Sequence, residues 1–156
     1  MGISTLIFEG PTLTILDEVV QVLEVAQQGA QGPQGEPGQA GIAFTSYSAS
    51  GNLGGHRAVR AAFSASVRYA DSATKADASA VLGISLGAAS DGTSINIATA
   101  GEIVEPSWAW TEGLPIFVGL AGALTQSPPS SGFQLVVGTA TSPTSMSVSI
   151  KQPIIL

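Results

Sequence analysis

The stretch Gly29-Ala-Gln-Gly32-Pro-Gln-Gly35-Glu-Pro-Gly38-Gln-Ala-Gly41 places a glycine at every third position. Glycine makes up 19 of the 156 residues, so four further glycines in phase are expected by chance only about two times in ten thousand. This is the repeat of a collagen triple helix, whose axis has room only for a glycine hydrogen. Gly29, Gly32, Gly35, Gly38 and Gly41 therefore predict a collagen-like stem over residues 29–43 and a homotrimer. The alternative is a flexible linker, which needs no period of three.

The predicted stem is short. At about 3 Å rise per residue it is on the order of 40–45 Å long. Ordering three chains has a large entropic cost, so a stem of this length needs a trimerising domain on one or both sides. We therefore expect the stem to act as a spacer between domains that are themselves three-fold.

Residues 1–28 form a separate N-terminal segment. Thr14 and Asp17 have the spacing of a helix N-cap and its reciprocal partner. Apolar residues of this segment have 3-4-3 spacing, at Leu13, Leu16, Val20 and Leu23. We predict a short helix that packs in a three-helix bundle or docks into a larger assembly. The valines of this segment also favour the alternative, a β-strand.

Residues 44–156 are predicted to form one all-β head, a sandwich or barrel. Short β-prone runs recur between turn signals such as Asp91-Gly92 and Glu112-Gly113. The runs cover residues 43–48, 57–62, 66–69, 81–86, 95–98, 116–120, 133–139 and 146–150. Residues 70–80 are alanine-rich and fit either one short helix or a loop.

Composition restricts the partners. The net charge is −6 and there is no basic run, so we expect no nucleic-acid partner. The longest apolar run, residues 116–124, is too short to span a bilayer, and the N-terminus lacks the features of a signal peptide. The chain has 44% hydrophobic and only 10% charged residues, which favours surface hidden between subunits.

Catalysis has little support in the sequence. His56, the only histidine, follows two glycines in a predicted turn and is interpreted as a surface residue. Asp71 and Asp77 do not have metal-site spacing and are predicted to cap turns or face solvent. There is no cysteine, so thiolate metal sites and disulfides are excluded. We predict no enzyme activity, no cofactor and no metal.

Trp108 and Trp110 are the most distinctive residues of the head. Two positions apart, they are predicted to share one face of a strand. Such a pair packs in a core or subunit interface, or contacts a receptor. Carboxylates at Glu102, Glu105 and Glu112 are close in sequence, as in a glycan site.

An anchor segment, a Gly-X-Y stem and a β-rich head together resemble the fibre proteins of tailed bacteriophages. Residues 67–71 and 80–85 are similar to a "YAD…GIS" passage of such fibre heads. Further similar stretches are residues 113–119, 124–126 and 152–156. Residues 87–92 and 101–104 are similar to β-domains of capsid decoration proteins.

The resemblance implies a structural virion protein, assembled in the host cytoplasm. It implies a homotrimeric tail or baseplate fibre whose residues 1–28 bind other virion proteins and whose head attaches to a bacterial surface glycan or protein. The main alternative is a capsid head fibre or decoration protein, and a lesser one is a polysaccharide-degrading fibre tip.

Overall fold

A computed structural model of the chain describes residues 41–156. Gly41 is therefore the one repeat glycine within the described residues. The other four, Gly29, Gly32, Gly35 and Gly38, lie outside them, and so does the predicted N-terminal helix with Leu13, Leu16, Val20 and Leu23. The collagen-like stem and the homotrimer consequently remain predictions.

The described residues form a mainly β structure, which confirms the predicted fold class. Its strands are β1 (Ala43–Ala49), β2 (Ala58–Ala61), β3 (Ser66–Tyr69), β4 (Val81–Ser85), β5 (Ser94–Val104), β6 (Pro115–Val118), β7 (Leu124–Thr125), β8 (Phe133–Gln134), β9 (Val136–Ser142), β10 (Ser145–Val148) and β11 (Ile154–Ile155). Two short 3₁₀ helices span Lys75–Ala80 and Leu120–Gly122. The alanine-rich stretch 70–80 thus contains a loop followed by one short helix.

The first five strands close into a barrel-like ring. Their order is β1-β3-β2-β4-β5, and β1 also pairs antiparallel with β5, with Phe44 opposite Ala98. From β5 the sheet continues through β10, β9 and β6 to β7, while β8 and β11 form a separate pair.

The long strand β5 belongs to both parts of the sheet. Its residues from Ser94 to Ala100 pair with β1. Its last residues pair with β10, from Gly101 opposite Val148 to Val104 opposite Ser145. One continuous strand therefore connects the ring to the part of the sheet formed by β10, β9, β6 and β7.

Alternating side chains divide the apolar residues between two cores. Val59, Ile95 and Ile97 belong to a small core with Ala49, Leu53 and Val67. Their chain neighbours Ala58 and Ala98 lie in the larger core on the opposite face. That core also contains Ile84, Ile103, Ile116, Val118, Phe133, Leu135, Val137, Ala140, Met146 and Val148.

A close backbone crossing joins the segment after β3 to β8. The Phe133 N–H donates to the Ser72 carbonyl at 2.9 Å. Gly132, just before it, has φ +78°, and a Cβ at this position would lie 2.0 Å from the Ser72 oxygen. The crossing therefore needs glycine for its backbone conformation and for its lack of a side chain.

Asp77 forms a buried ion pair, contrary to the prediction that it faces solvent or caps a turn. Its Oδ1 lies 2.8 Å from Arg60 Nε, and the two side chains are only 6% and 15% exposed. Its Oδ2 accepts the Asp71 N–H at 3.0 Å. Asp71 behaves as predicted, because its own carboxylate accepts the Ala73 N–H and closes a turn.

The eight predicted β-prone runs all overlap observed strands. The short strands β7 and β11 were not predicted, and the run 133–139 is divided between β8 and β9. Among residues 41–156, no helix is long and apolar enough to cross a membrane.

Candidate functional site

A cavity of about 450 Å³ lies among three loops of the head. The first loop, residues 54–57, precedes β2, and the second, residues 105–110, follows β5. The third, residues 123–124, leads into β7. The cavity is lined by Gly55, His56, Arg57, Glu105, Ser107, Trp108, Trp110, Ala123 and Leu124. We call it the Trp pocket.

Both tryptophans line this pocket, but they do not lie on a strand. Strand β5 ends at Val104, and residues 105–114 form a loop with turns at 106–107 and 112–113, so the predicted placement on one strand face is wrong. The reason is Pro106, which cannot donate to a β-ladder, together with the Trp108 N–H, which donates to the Glu105 carbonyl and closes a tight turn. The two rings are nevertheless neighbours, with centroids 5.4 Å apart.

The turn holds each tryptophan differently. The Trp110 N–H donates to the Pro143 carbonyl at 2.8 Å, and its ring packs against the large core. Trp108 meets the His56 ring edge to face, at 5.4 Å and 74°, a favourable aromatic arrangement. The Gln126 side-chain amide makes two hydrogen bonds to the Thr111 backbone, which fix the end of this loop against β7.

Ser85 positions the opposite wall of the pocket. Its hydroxyl is fully buried and donates to the Gly54 carbonyl at 2.8 Å. Its carbonyl accepts the N–H of His56, and its hydroxyl accepts the N–H of Arg57. His56 is held at φ +57°, a conformation that non-glycine residues seldom adopt and that needs such support from its surroundings.

Glu105 connects the two walls. Its Oε2 lies 2.9 Å from His56 Nδ1, and its Oε1 accepts the Ser107 N–H at 3.0 Å. The Ser107 backbone N–H lowers the pKa of the Glu105 carboxyl, and the Ser107 hydroxyl and nearby His56 act in the same direction. Glu105 is therefore ionised at neutral pH. Glu102 and Glu112, its predicted companions, do not line the pocket.

The acid dependence of stability provides a test of this carboxylate. Because its folded-state pKa is below its ordinary value of about 4.3, ionised Glu105 stabilises the fold above that pH. This contribution is lost as the pH falls through the lowered pKa. We therefore expect Glu105→Gln to reduce the free energy of unfolding at pH 7, and the difference from the wild type to disappear as the pH falls through the lowered pKa of Glu105. Urea unfolding at a series of pH values measures both.

Glu112→Gln is the matched control, because it removes the same charge from an exposed residue outside the pocket. A Glu105→Gln variant whose acid dependence equals that of the control would contradict the role given to the Ser107 N–H.

Arg57 completes the lining and was not predicted. Its Nη1 donates to the Ala121 carbonyl at 3.1 Å, and its guanidinium carbon lies 5.4 Å from the Tyr69 ring centroid.

The sequence contained no local signal for the assembly of the Trp pocket, because His56 and Glu105 are far apart in the chain. The prediction that His56 is a surface residue is therefore too simple, since it is partly buried against Trp108 and Glu105.

A second cavity, of about 440 Å³, has a different character. It is lined by Ser72, Ala73, Gly119, Leu120, Ala123, Thr125, Ser127, Pro129, Ser130 and Ser131. Since none of these side chains is charged or aromatic, the Trp pocket is the better candidate for specific recognition. No three acidic or histidine side chains within residues 41–156 are grouped to hold a metal ion.

Comparison with the models of known protein families finds no match, and a search of curated proteins finds none either. The likeness to phage fibre proteins therefore rests on the stretches of sequence described above.

Proposed function

We propose that the chain is a non-enzymatic structural protein of a tailed bacteriophage, a homotrimeric tail or baseplate fibre. Residues 1–28 anchor it to other virion proteins, and residues 29–43 form a collagen-like stem. The β-rich head, residues 44–156, is projected toward the host surface for attachment. Three heads per fibre and several fibres per virion raise avidity without strong single contacts.

The observation that carries this proposal is the direct passage from the Gly-X-Y repeat into the β-rich head. Gly41, the last repeat glycine, is followed after one residue by β1, which begins at Ala43. In a triple helix Gly41 lies at the three-fold axis, and a chain extends at most about 3.6 Å per residue. The backbone of Phe44 can therefore lie at most about 11 Å from Gly41 and the three-fold axis.

The surface of β1 supports a subunit contact at this place. Its first four residues are all exposed, although they pair with β5. Phe44 is among them and is 53% exposed. Three phenylalanine rings close to one axis would bury apolar surface that a single chain leaves in water.

The pocket composition supports a role without catalysis. Enzymes that cut glycosidic bonds in the common way use two carboxylates, whereas Glu105 is the one carboxylate among the described residues that line the Trp pocket.

The alternative, a fibre or decoration protein on the capsid, would use the same stem and head. Residues 1–28, which lie outside the described part of the chain, distinguish these two positions.

We expect the full chain to have three times its 15.6 kDa monomer mass at micromolar concentration, measured by light scattering after size exclusion. Phe44→Glu is expected to raise the protein concentration at which half of the trimer has dissociated, because it places three like charges near the axis. Gold-labelled antibody to the head is expected to mark the tail or baseplate of purified virions.

Phe63→Glu is the control for this experiment, because Phe63 is 93% exposed at the turn between β2 and β3. A monomeric wild-type chain would refute the trimer, and equal dilution behaviour of the two variants would refute a contact at Phe44. Labelling of the capsid alone would favour the head fibre instead.

A further inference from the structure

We infer that the Trp pocket binds a neutral pyranose sugar. This deepens the proposed attachment role and rests on it for its biological meaning. The cavity of about 450 Å³ is large enough for a small ligand. It combines aromatic rings with a few fixed polar groups, as ligand pockets commonly do.

The aromatic part of the pocket is rigid. The Trp108 ring neighbours both the His56 ring and the Trp110 ring, with centroids 5.4 Å apart in each case. Because its neighbours already fix the ring, sugar binding carries little entropic cost for ordering this side chain. The C–H face of a pyranose is apolar and flat enough to lie on such an indole surface.

The polar part offers both acceptors and donors. Glu105 Oε2 contacts His56 Nδ1, and a carboxylate oxygen has a second lone pair that can accept from a ligand. Arg57 also lines the pocket, and only its Nη1 donates within the fold, to the Ala121 carbonyl. A sugar hydroxyl both donates and accepts, so neighbouring hydroxyls can bond to the Glu105 carboxylate and to the other guanidinium N–H groups of Arg57.

The charges favour an uncharged ligand. Glu105 and Arg57 bring one negative and one positive group to the lining, so neither an anion nor a cation finds an excess of opposite charge. The whole chain carries a net charge of −6, which disfavours approach of an acidic polysaccharide. These charges select a neutral hexose over a sialic or uronic acid.

The chain provides its own reporter for this site. It contains two tryptophans, and both line the Trp pocket. Intrinsic tryptophan fluorescence of the full chain therefore reports on this pocket alone. We propose titrations with glucose, galactose, mannose and N-acetylglucosamine to about 50 mM, because a small ligand of this kind binds with a Kd on the order of millimolar.

We expect a saturable change in emission with at least one of the four sugars. Glu105→Gln is expected to weaken binding about tenfold, because the ionised acceptor is lost. Glu102→Gln is the matched control and is expected to bind like the wild type, since Glu102 accepts from Thr141 on β9, away from the pocket. Glucuronic acid is expected not to bind.

Saturation-transfer NMR tests the stacking surface without depending on fluorescence. Trp108→Leu is expected to lose the transfer signal, while Trp108→Phe retains part of it because an aromatic face remains. Circular dichroism establishes that each variant is folded, and the Phe variant keeps the test decisive if the Leu variant does not fold.

Absence of a saturable response to all four sugars would overturn the inference, and so would unchanged binding by Trp108→Leu. Emission that changes only when the protein is diluted would show that a second copy of the chain fills the pocket, and would also overturn it. The mass measured on the same samples separates the two proposals. A trimer without sugar binding refutes only this inference, whereas a monomer refutes the proposed trimeric fibre.

Discussion

Gly132→Ala is expected to destabilise the head by about 3 kcal/mol more than Gly92→Ala. Both glycines have φ +78°, so an alanine at either position carries the same cost of about 1 kcal/mol for a left-handed backbone. Only at Gly132 does the new Cβ meet backbone, 2.0 Å from the Ser72 oxygen and 2.8 Å from the Ala73 Cα. Nothing lies within 4 Å at Gly92.

The clash cannot be relieved by a side-chain rotation, because both obstructing atoms belong to the main chain. Moving the segment after β3 away from β8 breaks the Phe133-to-Ser72 hydrogen bond and shifts Phe133, which is fully buried in the large core. Urea unfolding at equal protein concentration measures both variants. Equal midpoints for the two variants would show that the crossing at Ser72 is not tight.

Asp77→Ala is expected to cost about 3–5 kcal/mol, since it leaves the Arg60 guanidinium buried without its counter-ion. The contact between Arg60 Nε and Asp77 Oδ1 is ionic rather than a well-aligned hydrogen bond. Arg60 also donates from Nη1 to the Ala61 carbonyl, which does not neutralise its charge. The alanine variant additionally removes the acceptor of the Asp71 N–H.

A double-mutant cycle separates these effects. The double variant Arg60→Leu with Asp77→Ala removes both buried charges, and we expect it to recover most of the stability lost in Asp77→Ala alone. Arg60→Leu alone is expected to be destabilising, because it isolates a carboxylate that is 6% exposed. Additive costs of the two single variants would show that the pair is not coupled, and that Arg60 reaches water in the folded head.

Local pattern was sufficient to predict nine of the eleven strands, all but the two-residue strands β7 and β11, and insufficient to predict how the strands pair. The run 66–69 corresponds to β3 residue for residue, because a short apolar alternation between turns has few other solutions. The ring closure could not be predicted in this way, since Phe44 and Ala98 are 54 positions apart and nothing local specifies that they meet. For residues 70–80 the sequence predicts either a short helix or a loop. Alanine-rich sequence favours a helix, but it does not determine that the helix is of the 3₁₀ type and begins only at Lys75.

The candidate site was predicted only in part. Trp108 and Trp110 were identified by residue type, and the structure brings them together through a turn rather than a strand. His56 and Arg57 joined them only because Ser85 fixes the loop 54–57 from the opposite side. The buried pair of Arg60 and Asp77 shows the same limit, because burial depends on tertiary packing that residue type alone does not determine.

The sharing of β5 between ring and outer strands has a consequence for the order of folding during synthesis. Strand β1 emerges from the ribosome early, yet it has no antiparallel partner until residues 94–104 follow, and the large core also needs β6, β8, β9 and β10. The head therefore becomes complete only after β10 has been synthesised.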